Sequence, residues 1–355
     1  MALRQLGQHL KRNRAIRTAD FFLVVASALT TASLALVVED LLPKSDQDAL
    51  FDWKRGVGLA LAIGSVLVSV FWRARARRAT GTLFYVQMLD EGMADQRLEA
   101  LDEAAKKRLS RRSITRWLDL EGATSRGVIG VVEACQEAGC ALEELVNNDR
   151  DDTASTVAPN ALWPMAVALG MHLPADETLK VTELPTGKGL DQEFRLRGSA
   201  KSAELFVVDK ELDEPTGDRV GIWLAFTGAR KKFSVDGFQQ FGVRTTYTVT
   251  WDGVDPADGD DRHFADEELP RLAAGITAKL LELKAKHSDT EVVVVAMMTK
   301  AVAIAVGWHL AQAEEGFFRN THLMHFDGNR QGYVPMRVRP SQPTTSPVVE
   351  GSVRS

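Results

Sequence analysis

The chain has 355 residues and a formal net charge of −5, a length for which two or three folding units are expected. Residues 1–78 carry 12 basic and 6 acidic side chains, a net charge of +6, so the remaining residues carry −11. This acidic remainder argues against direct binding of DNA or RNA, because nonspecific affinity for nucleic acid needs a basic face. Cys135 and Cys140 are the only cysteines. They are too few for a zinc quartet or a disulfide framework and fit a reduced, cytosolic compartment.

Two uncharged, apolar runs lie near the N-terminus, at residues 21–38 and 56–72. Each has about the 17–25 residues that a helix needs to cross the hydrocarbon core of a bilayer. Arginine clusters precede the first run and follow the second, whereas the loop between them is acidic. We therefore predict a transmembrane hairpin over residues 1–78, with helices at about 20–38 and 56–72. The positive-inside rule then places both termini and the rest of the chain in the cytoplasm.

The composition changes again after this hairpin. Residues 79–150 are rich in helix-forming residues at helical spacing, which predicts a helical connector. From residue 151 to 338, apolar strand-like runs alternate with helical runs, an order typical of an α/β fold with a parallel, Rossmann-like sheet. Residues 339–355 are rich in Pro, Ser and Thr, which predicts a disordered tail.

A small-residue helical run occurs twice in the α/β part. The second copy, at residues 291–310, begins with four valines, a pattern typical of a strand buried on both faces. It continues into a small-residue helix in which Ala303–Leu310 reads AIAVGWHL. This run aligns without a gap with AVALGMHL at Ala166–Leu173, 137 positions earlier. The repeat predicts a duplicated module, whose halves we place at about residues 151–215 and 216–338.

Ligands of open α/β sheets bind beyond the carboxyl ends of the strands, and two such ends carry suitable residues. Thr227–Lys232, TGARKK, follows a buried strand and combines a hydroxyl, a glycine and three cations. Met298–Lys300 follows the valine run, where Thr299 is expected to cap a helix whose free N–H groups can hold an anion. Together the two ends suit phosphate or a nucleotide, although neither a Walker loop nor a G-x-G-x-x-G motif is present.

No catalytic site, metal site or cofactor is predicted. The chain lacks the G-x-S-x-G elbow of serine hydrolases and the H-E-x-x-H motif of zinc enzymes. His322 and His325 are three residues apart on a predicted strand, so they are expected to point to opposite faces. His172 and His309 hold equivalent positions in the two copies of the repeat, which favours a shared packing role.

The C-terminal pattern resembles the end of SAVED domains. The resemblance is carried by VVVVAMMTKAVAIAVGWHL, followed by THLMHFDGNRQGYVPMRV. In that family a buried strand leads into a small-residue helix, and a Tyr-Pro-containing strand closes the module. Many members start the helix with a proline, which Pro164 matches in the first copy, while Lys300 takes that place in the second. SAVED domains fuse two CARF-like, Rossmann-like halves, in agreement with the repeat.

The resemblance also implies a function. SAVED domains are cyclic-oligonucleotide receptors of CBASS anti-phage systems, and two transmembrane helices ahead of one resemble the membrane-spanning SAVED effectors. The chain is accordingly expected to bind a cyclic di- or trinucleotide made by a partner nucleotidyltransferase, without catalysis of its own. Binding is expected to drive homo-oligomerisation, so that clustered hairpins disrupt the bacterial inner membrane and cause abortive infection.

The candidate ligand contacts come from both halves of the module. The strand ends supply the candidates for phosphate and base, namely Thr227, Gly228, Arg230, Lys231, Thr299 and Lys300. Asn160 and Trp163 open the repeat helix of the first half. Tyr333 and Asp327 are candidates for the wall of the pocket.

Two other classes of function stay open. A membrane-tethered, CARF-like ring nuclease would cut its own ligand, with Lys300 or His309 at the phosphate. A non-nucleotide, membrane-anchored interaction module would keep its activity after charge reversal at Arg230 and Lys300, whereas a phosphate receptor would lose it.

Overall fold

The structure analysed is a computed structural model. It describes residues 18, 21–32, 34, 35, 38, 53–78, 81–90, 93–107, 109–149, 154–176, 178–184, 192–196, 202–213, 215, 217–227, 233–253, 256, 264–313, 315–328 and 330–349. The chain divides into two compact units. One holds Met1–Thr82, Asp102–Ser110 and Arg150–Ala154, and the other holds Leu83–Leu101, Arg111–Asp149 and Ser155–Ser355.

The first unit includes two helices that overlap the two apolar runs. Helix α1 includes residues 21–32, and α2 spans Trp53–Arg78. The rings of Phe22 and Trp72 lie 5.6 Å apart, so α1 and α2 are in contact at these residues. Large apolar side chains of α2 are exposed, among them Leu61 at 67%. In the part of the chain that the structure describes, no helix has both the length and the apolar character needed to span a membrane.

The described residues form two β-sheets covered by helices. The strands are β1 (Thr82–Leu89), β2 (Ser110–Trp117), β3 (Thr124–Ser125), β4 (Val128–Gly130), β5 (Ser155–Asn160), β6 (Lys180–Glu183), β7 (Gln192–Arg195), β8 (Phe206–Glu211), β9 (Arg219–Ala225), β10 (Val243–Thr250), β11 (Val292–Met297), β12 (Thr321–Asp327) and β13 (Gly332–Arg337). The further helices are α3 (Arg97–Lys106), α4 (Val132–Asn147), α5 (Trp163–Gly170), α6 (Leu269–Lys286) and α7 (Lys300–Gln312), with 3₁₀ helices at Val235–Phe241 and Glu315–Phe318.

The same five-strand order occurs in both sheets. The first sheet is ordered β2–β1–β5–β6–β7, and the second contains the corresponding series β10–β9–β11–β12–β13, extended by β8 at one edge and by β4 and β3 at the other. In both series the central strand is parallel to the next, and the last strand is antiparallel. The corresponding strands β5 and β11 are 137 residues apart, as are the starts of α5 and α7. This arrangement agrees with the predicted duplication, although the sheets are mixed rather than wholly parallel.

The valine run lies at the centre of the second sheet. β11 is parallel to β9 on one side and to β12 on the other. Val292 and Val294 contribute to the larger hydrophobic core, while Val293 and Val295 contribute to a second core on the opposite face. The prediction of a strand buried on both faces is therefore confirmed, since all four valines are buried.

The repeat helices α5 and α7 pack directly on each other through their glycines. A Cβ atom added to Gly307 would lie 1.9 Å from the backbone oxygen of Val167, and one added to Gly170 would lie 2.0 Å from that of Ile304. Val167 and Ile304 are themselves 137 residues apart, so the contact is reciprocal. The glycines permit a close helix crossing that any side chain at either position would prevent.

The prediction of a helical connector over residues 79–150 is wrong. α3 and α4 are helices within it, but β1 and β2 pair in the first sheet and β3 and β4 pair in the second. β2 is an edge strand with the sequence SRRSITRW, and its exposed arginines hide the alternation that predicts a strand. β1 is fully buried, so it has no polar face from which its period could be recognised.

The predicted boundaries of the two halves also need correction. The first half begins at β1 rather than at residue 151, because β1 and β2 complete its five-strand series. The second half begins at β8 rather than at residue 216, because β8 pairs with β10.

Residues 339–349 were predicted to be disordered, but they pack on the second sheet. Gln342 is buried; its side-chain oxygen accepts from the backbone N–H of Val338, and its amide donates to the carbonyl of Thr321. Arg219 donates to the carbonyl of Pro347, and the Val349 N–H donates to the carbonyl of Gln240. These long-range bonds, rather than local composition, order this segment. The remainder of the predicted tail lies outside the described residues.

Candidate functional site

Lys300 lies at the first position of α7, at the carboxyl end of β11. Thr299 caps the helix as predicted, because its backbone is extended and its Oγ1 accepts a hydrogen bond from the Val302 N–H at 3.3 Å. β9 ends beside β11, with Ala225 opposite Met297. Thr227 therefore follows β9 at the same edge of the sheet at which Thr299 follows β11. Gly228, Arg230 and Lys231 lie outside the described residues.

The Lys300 side chain reaches across to the first half. Its Nζ donates to Asn160 Oδ1 at 2.7 Å and to Gln96 Oε1 at 3.0 Å. Both acceptors are neutral amide oxygens, and among the residues that the structure describes no carboxylate lies within 4.0 Å of Nζ. Burial lowers the pKa of Lys300, and the nearby charge of Glu183 opposes that shift. The ammonium is thus held in place without a direct ion-pair partner.

Asn160, at the carboxyl end of β5, connects Lys300 to a buried polar cluster. Its Nδ2 donates to the carbonyl of Ala94 at 3.0 Å and to the Tyr85 hydroxyl at 3.2 Å. The Tyr85 hydroxyl in turn donates to Gln87 Oε1, and burial raises the pKa of Tyr85 to about 12. Gln87 is fully buried, and its side chain is also a hydrogen-bond partner of the Asp95 carboxylate. The cluster therefore fixes Asn160, and through Asn160 it fixes the Lys300 ammonium.

The N-terminus of α7 already holds a carboxylate. Glu183, the last residue of β6, accepts a hydrogen bond at Oε2 from the Ala301 N–H at 2.7 Å. The prediction that the first N–H groups of this helix are free for a phosphate is therefore wrong, because Ala301 donates to Glu183 and Val302 donates to Thr299. What the site offers an anion is the Lys300 ammonium.

The stability of the protein should depend on the ionisation of Glu183. Burial raises the pKa of its carboxyl, although the Ala301 N–H and Lys300 oppose the shift. A raised folded-state pKa means that stability falls as the pH rises from the unfolded-state pKa through the folded-state pKa. We expect Glu183→Gln, which can still accept from Ala301, to be more stable than wild type at neutral pH and equally stable at a pH below the usual carboxyl pKa. Denaturant unfolding over a pH series measures this, and an equal pH dependence in both proteins contradicts it.

The first half presents different chemistry at the equivalent positions. By the 137-residue offset, Trp163 corresponds to Lys300, and Pro164 corresponds to Ala301 rather than to Lys300 as the sequence comparison assumed. Proline has no N–H to donate, so α5 cannot form the bond that Ala301 makes to Glu183. Trp163 instead donates from Nε1 to the carbonyl of Met324 at 3.1 Å, a contact from the first half to β12 of the second.

Two predicted wall residues are engaged in local packing. The Tyr333 ring lies 5.1 Å from the ring of Phe233 and 5.3 Å from that of Phe326, and burial raises its pKa to about 12. Asp327 lies 3.4 Å from the Nε of Arg330. The structure therefore brings Asn160 and Lys300 together and places Thr299 and Thr227 at the same sheet edge. It gives Tyr333 an aromatic packing role.

The histidines do not form a reaction centre with Lys300. The His309 ring meets the Trp308 ring edge-on, with centroids 4.9 Å apart. His309 is nine positions along the helix from Lys300, a rise of about 13.5 Å. His172 lies 3.9 Å from Glu143, and His322 lies 3.6 Å from Glu291. No group of three or more His, Cys, Asp or Glu side chains in the described part could hold a metal ion.

Four residues of the cluster were not predicted from the sequence. Gln96, Tyr85 and Gln87 lie in the segment that was predicted to be a helical connector. Gln87 is two residues after Tyr85 on β1, so both side chains are on the same face of the strand. Glu183 ends β6, and the carboxyl ends of strands are where ligands bind, so its position in the fold is the signal that could have identified it.

Comparison with protein-family profiles and with curated proteins finds no match. Among solved structures, similar chains include the Cap4 SAVED/CARF-domain containing receptor of Acinetobacter baumannii, determined with the cyclic trinucleotide 2′3′3′-cAAA and with 3′3′3′-cAAA. Both have 9% sequence identity and a TM-score of 0.41, and the match covers 80% of this chain and 60% of Cap4. The Cap4 receptor of Moraxella osloensis has 10% identity and a TM-score of 0.36, with 80% and 58% covered. The chain thus spans about three fifths of the length of these receptors.

Proposed function

We propose that the chain is a receptor for a cyclic oligonucleotide and that Lys300 binds one of its phosphates. The observation that carries this proposal is the Lys300 ammonium, held by the neutral oxygens of Asn160 and Gln96 with no carboxylate at ion-pair distance in the described part of the chain. A partly buried cation is costly unless an anion neutralises it. A phosphate oxygen at the remaining donor of the ammonium would supply that charge in a strong, charge-assisted bond.

The surrounding groups favour a nucleotide over a simple anion. Asn160 and Gln96 are buried amides in contact with the ammonium. Amides hydrogen-bond the edges of bases, while Thr227 and Thr299 place hydroxyls at the neighbouring strand ends. The sequence resemblance to SAVED domains specifies the cyclic form of the ligand.

The receptor proposal is tested by calorimetry on the full-length protein with a panel of cyclic di- and trinucleotides, including 3′3′3′-cyclic triadenylate. We expect at least one member to bind with a dissociation constant in the micromolar range or below. Linear dinucleotides without a terminal phosphate serve as the control and should bind more weakly. Absence of binding across the panel contradicts the proposal.

The N-terminal helices support a second part of the proposal, in which they attach the receptor to the bacterial inner membrane. The exposed apolar side chains of α2, such as Phe71 at 70% and Val68 at 67%, would be covered by lipid. Ligand-driven homo-oligomerisation would then cluster these helices and disrupt the bilayer. Retention in the membrane fraction after a carbonate wash, and faster sedimentation with ligand, are the expected results. Release into the wash contradicts the attachment, and unchanged sedimentation contradicts the assembly.

Ligand cleavage is the alternative that the same samples can detect. The separation of Lys300 from His309 along α7 speaks against their acting on one phosphate, so we propose that the chain senses its ligand without cutting it. Incubation of bound ligand followed by chromatography should return only the cyclic form. A linear product identifies a ring nuclease instead.

A further inference from the structure

Glu183 is an unexpected neighbour for a site that binds an anion. Its Oε2 lies 2.7 Å from the Ala301 nitrogen in the first turn of α7, and its charge acts on Lys300 in the same turn. The carboxylate comes from β6 of the first half, whereas the helix belongs to the second. The site therefore contains a carboxyl group as well as its cation.

The net charge of this arrangement can be counted. The N-terminus of a helix is equivalent to about +0.5 charge, Lys300 contributes +1, and an ionised Glu183 contributes −1. The sum is about +0.5, against about +1.5 without the carboxylate, so an ionised Glu183 weakens the attraction for a doubly charged phosphate about twice as much as for a singly charged one. A phosphodiester carries a single negative charge at neutral pH, whereas a terminal phosphomonoester carries about −1.5 to −2.

We propose that Glu183 biases the site toward the internal phosphodiesters of a cyclic oligonucleotide and against the terminal phosphomonoesters of linear nucleotides. This inference rests on the proposed receptor function and adds the residue that gives it specificity. A linear oligonucleotide keeps the bases, sugars and other phosphodiesters of its cyclic form and differs from it by one terminal phosphomonoester. The charge of that terminal phosphate is therefore a property by which a receptor can separate the two. A like charge placed against the wrong ligand is a general means of achieving such specificity.

The test compares two ligands of the same composition on the full-length protein. One is the cyclic trinucleotide of the panel that binds most tightly, and the other is its linear form with a 5′-phosphate. We expect the preference of wild type for the cyclic ligand to fall about tenfold in Glu183→Gln. The reason is that an additional unit charge a few ångströms away in a partly buried site changes affinity by roughly that factor. The linear ligand gains more because it carries the extra charge.

Two further variants separate charge from structure. Glu183→Asp keeps the charge but shortens the reach to Ala301, so it should retain the wild-type preference. Glu193→Gln removes a carboxylate from the adjacent strand β7, opposite Thr182 and hence on the other face of the sheet, and should leave the preference within about twofold of wild type. An unchanged preference in Glu183→Gln, or a loss of preference in Glu183→Asp, overturns the inference while cyclic binding persists. If wild type binds no cyclic oligonucleotide, the receptor proposal itself is overturned.

Discussion

Lys300→Met is expected to weaken binding of the cyclic ligand by about 100-fold. A hydrogen bond to a charged group contributes about 1.5–3 kcal/mol, and the variant also removes the charge that attracts the phosphate. Methionine has a similar length and leaves Asn160 and Gln96 in place. Calorimetry measures the affinity. The slope of log affinity against log salt concentration should become shallower by the amount expected for the loss of about one phosphate contact.

The fold should survive this substitution. Loss of the ammonium leaves two amide oxygens without their donor, but it also removes the cost of burying a cation without a direct ion pair. These effects oppose each other, so we expect the free energy of unfolding to change by no more than about 2 kcal/mol. Lys279→Met, which removes a cation paired with Glu282 on α6, is the matched control and should bind normally. Equal affinities for wild type and Lys300→Met would exclude Lys300 from the site.

Gly307→Ala is expected to lower the free energy of unfolding by about 3 kcal/mol or more, the upper range for overpacking. The new methyl group would lie 1.9 Å from the Val167 oxygen, which is backbone and cannot rotate away. Alanine is the better helix former by about 1 kcal/mol, so the clash must outweigh a favourable change in propensity. Denaturant titration followed by circular dichroism measures the loss.

The reciprocal variant and a control test whether the close helix crossing causes the loss of stability. Gly170→Ala should behave like Gly307→Ala, because its methyl group would meet the Ile304 oxygen at 2.0 Å. Gly316→Ala has open space around the added atom and should change stability by less than about 0.5 kcal/mol. Similar stabilities for Gly307→Ala and Gly316→Ala would show that α5 and α7 do not cross as closely as described.

The elements that could be predicted from the sequence are those with a uniform run of residues or a second copy elsewhere in the chain. The four valines and the alanine-rich helix after them are visible because both are long and uniform, and their second copy lies at a constant offset. Lys300 could be located by the same logic, as the first residue of a helix that follows a buried strand. Thr299 could be assigned as its cap from residue type alone.

The remaining parts depend on contacts between residues distant in sequence. β1 pairs beside β5, and Gln96 reaches Lys300 across 204 positions of the chain; neither leaves a local pattern. The carboxylate at the start of α7 comes from Glu183, 118 residues earlier, so local sequence suggested a vacant anion site where the fold supplies its own anion. Residues 339–349 show the same limit, because this Pro- and Ser-rich segment is held by long-range hydrogen bonds such as that from Gln342 to Thr321.

The reciprocal helix crossing also constrains how the protein is made. In α5, every residue from Pro164 to Gly170 is buried, and much of that burial comes from α7. A ribosome adds about 5–20 residues per second, so the 137 residues between the two helices take roughly 7–27 s to appear. During that interval the newly made first half displays an uncovered apolar helix. The nascent chain is therefore expected to need shielding by a chaperone until its second half emerges, and neither half should be soluble when expressed alone.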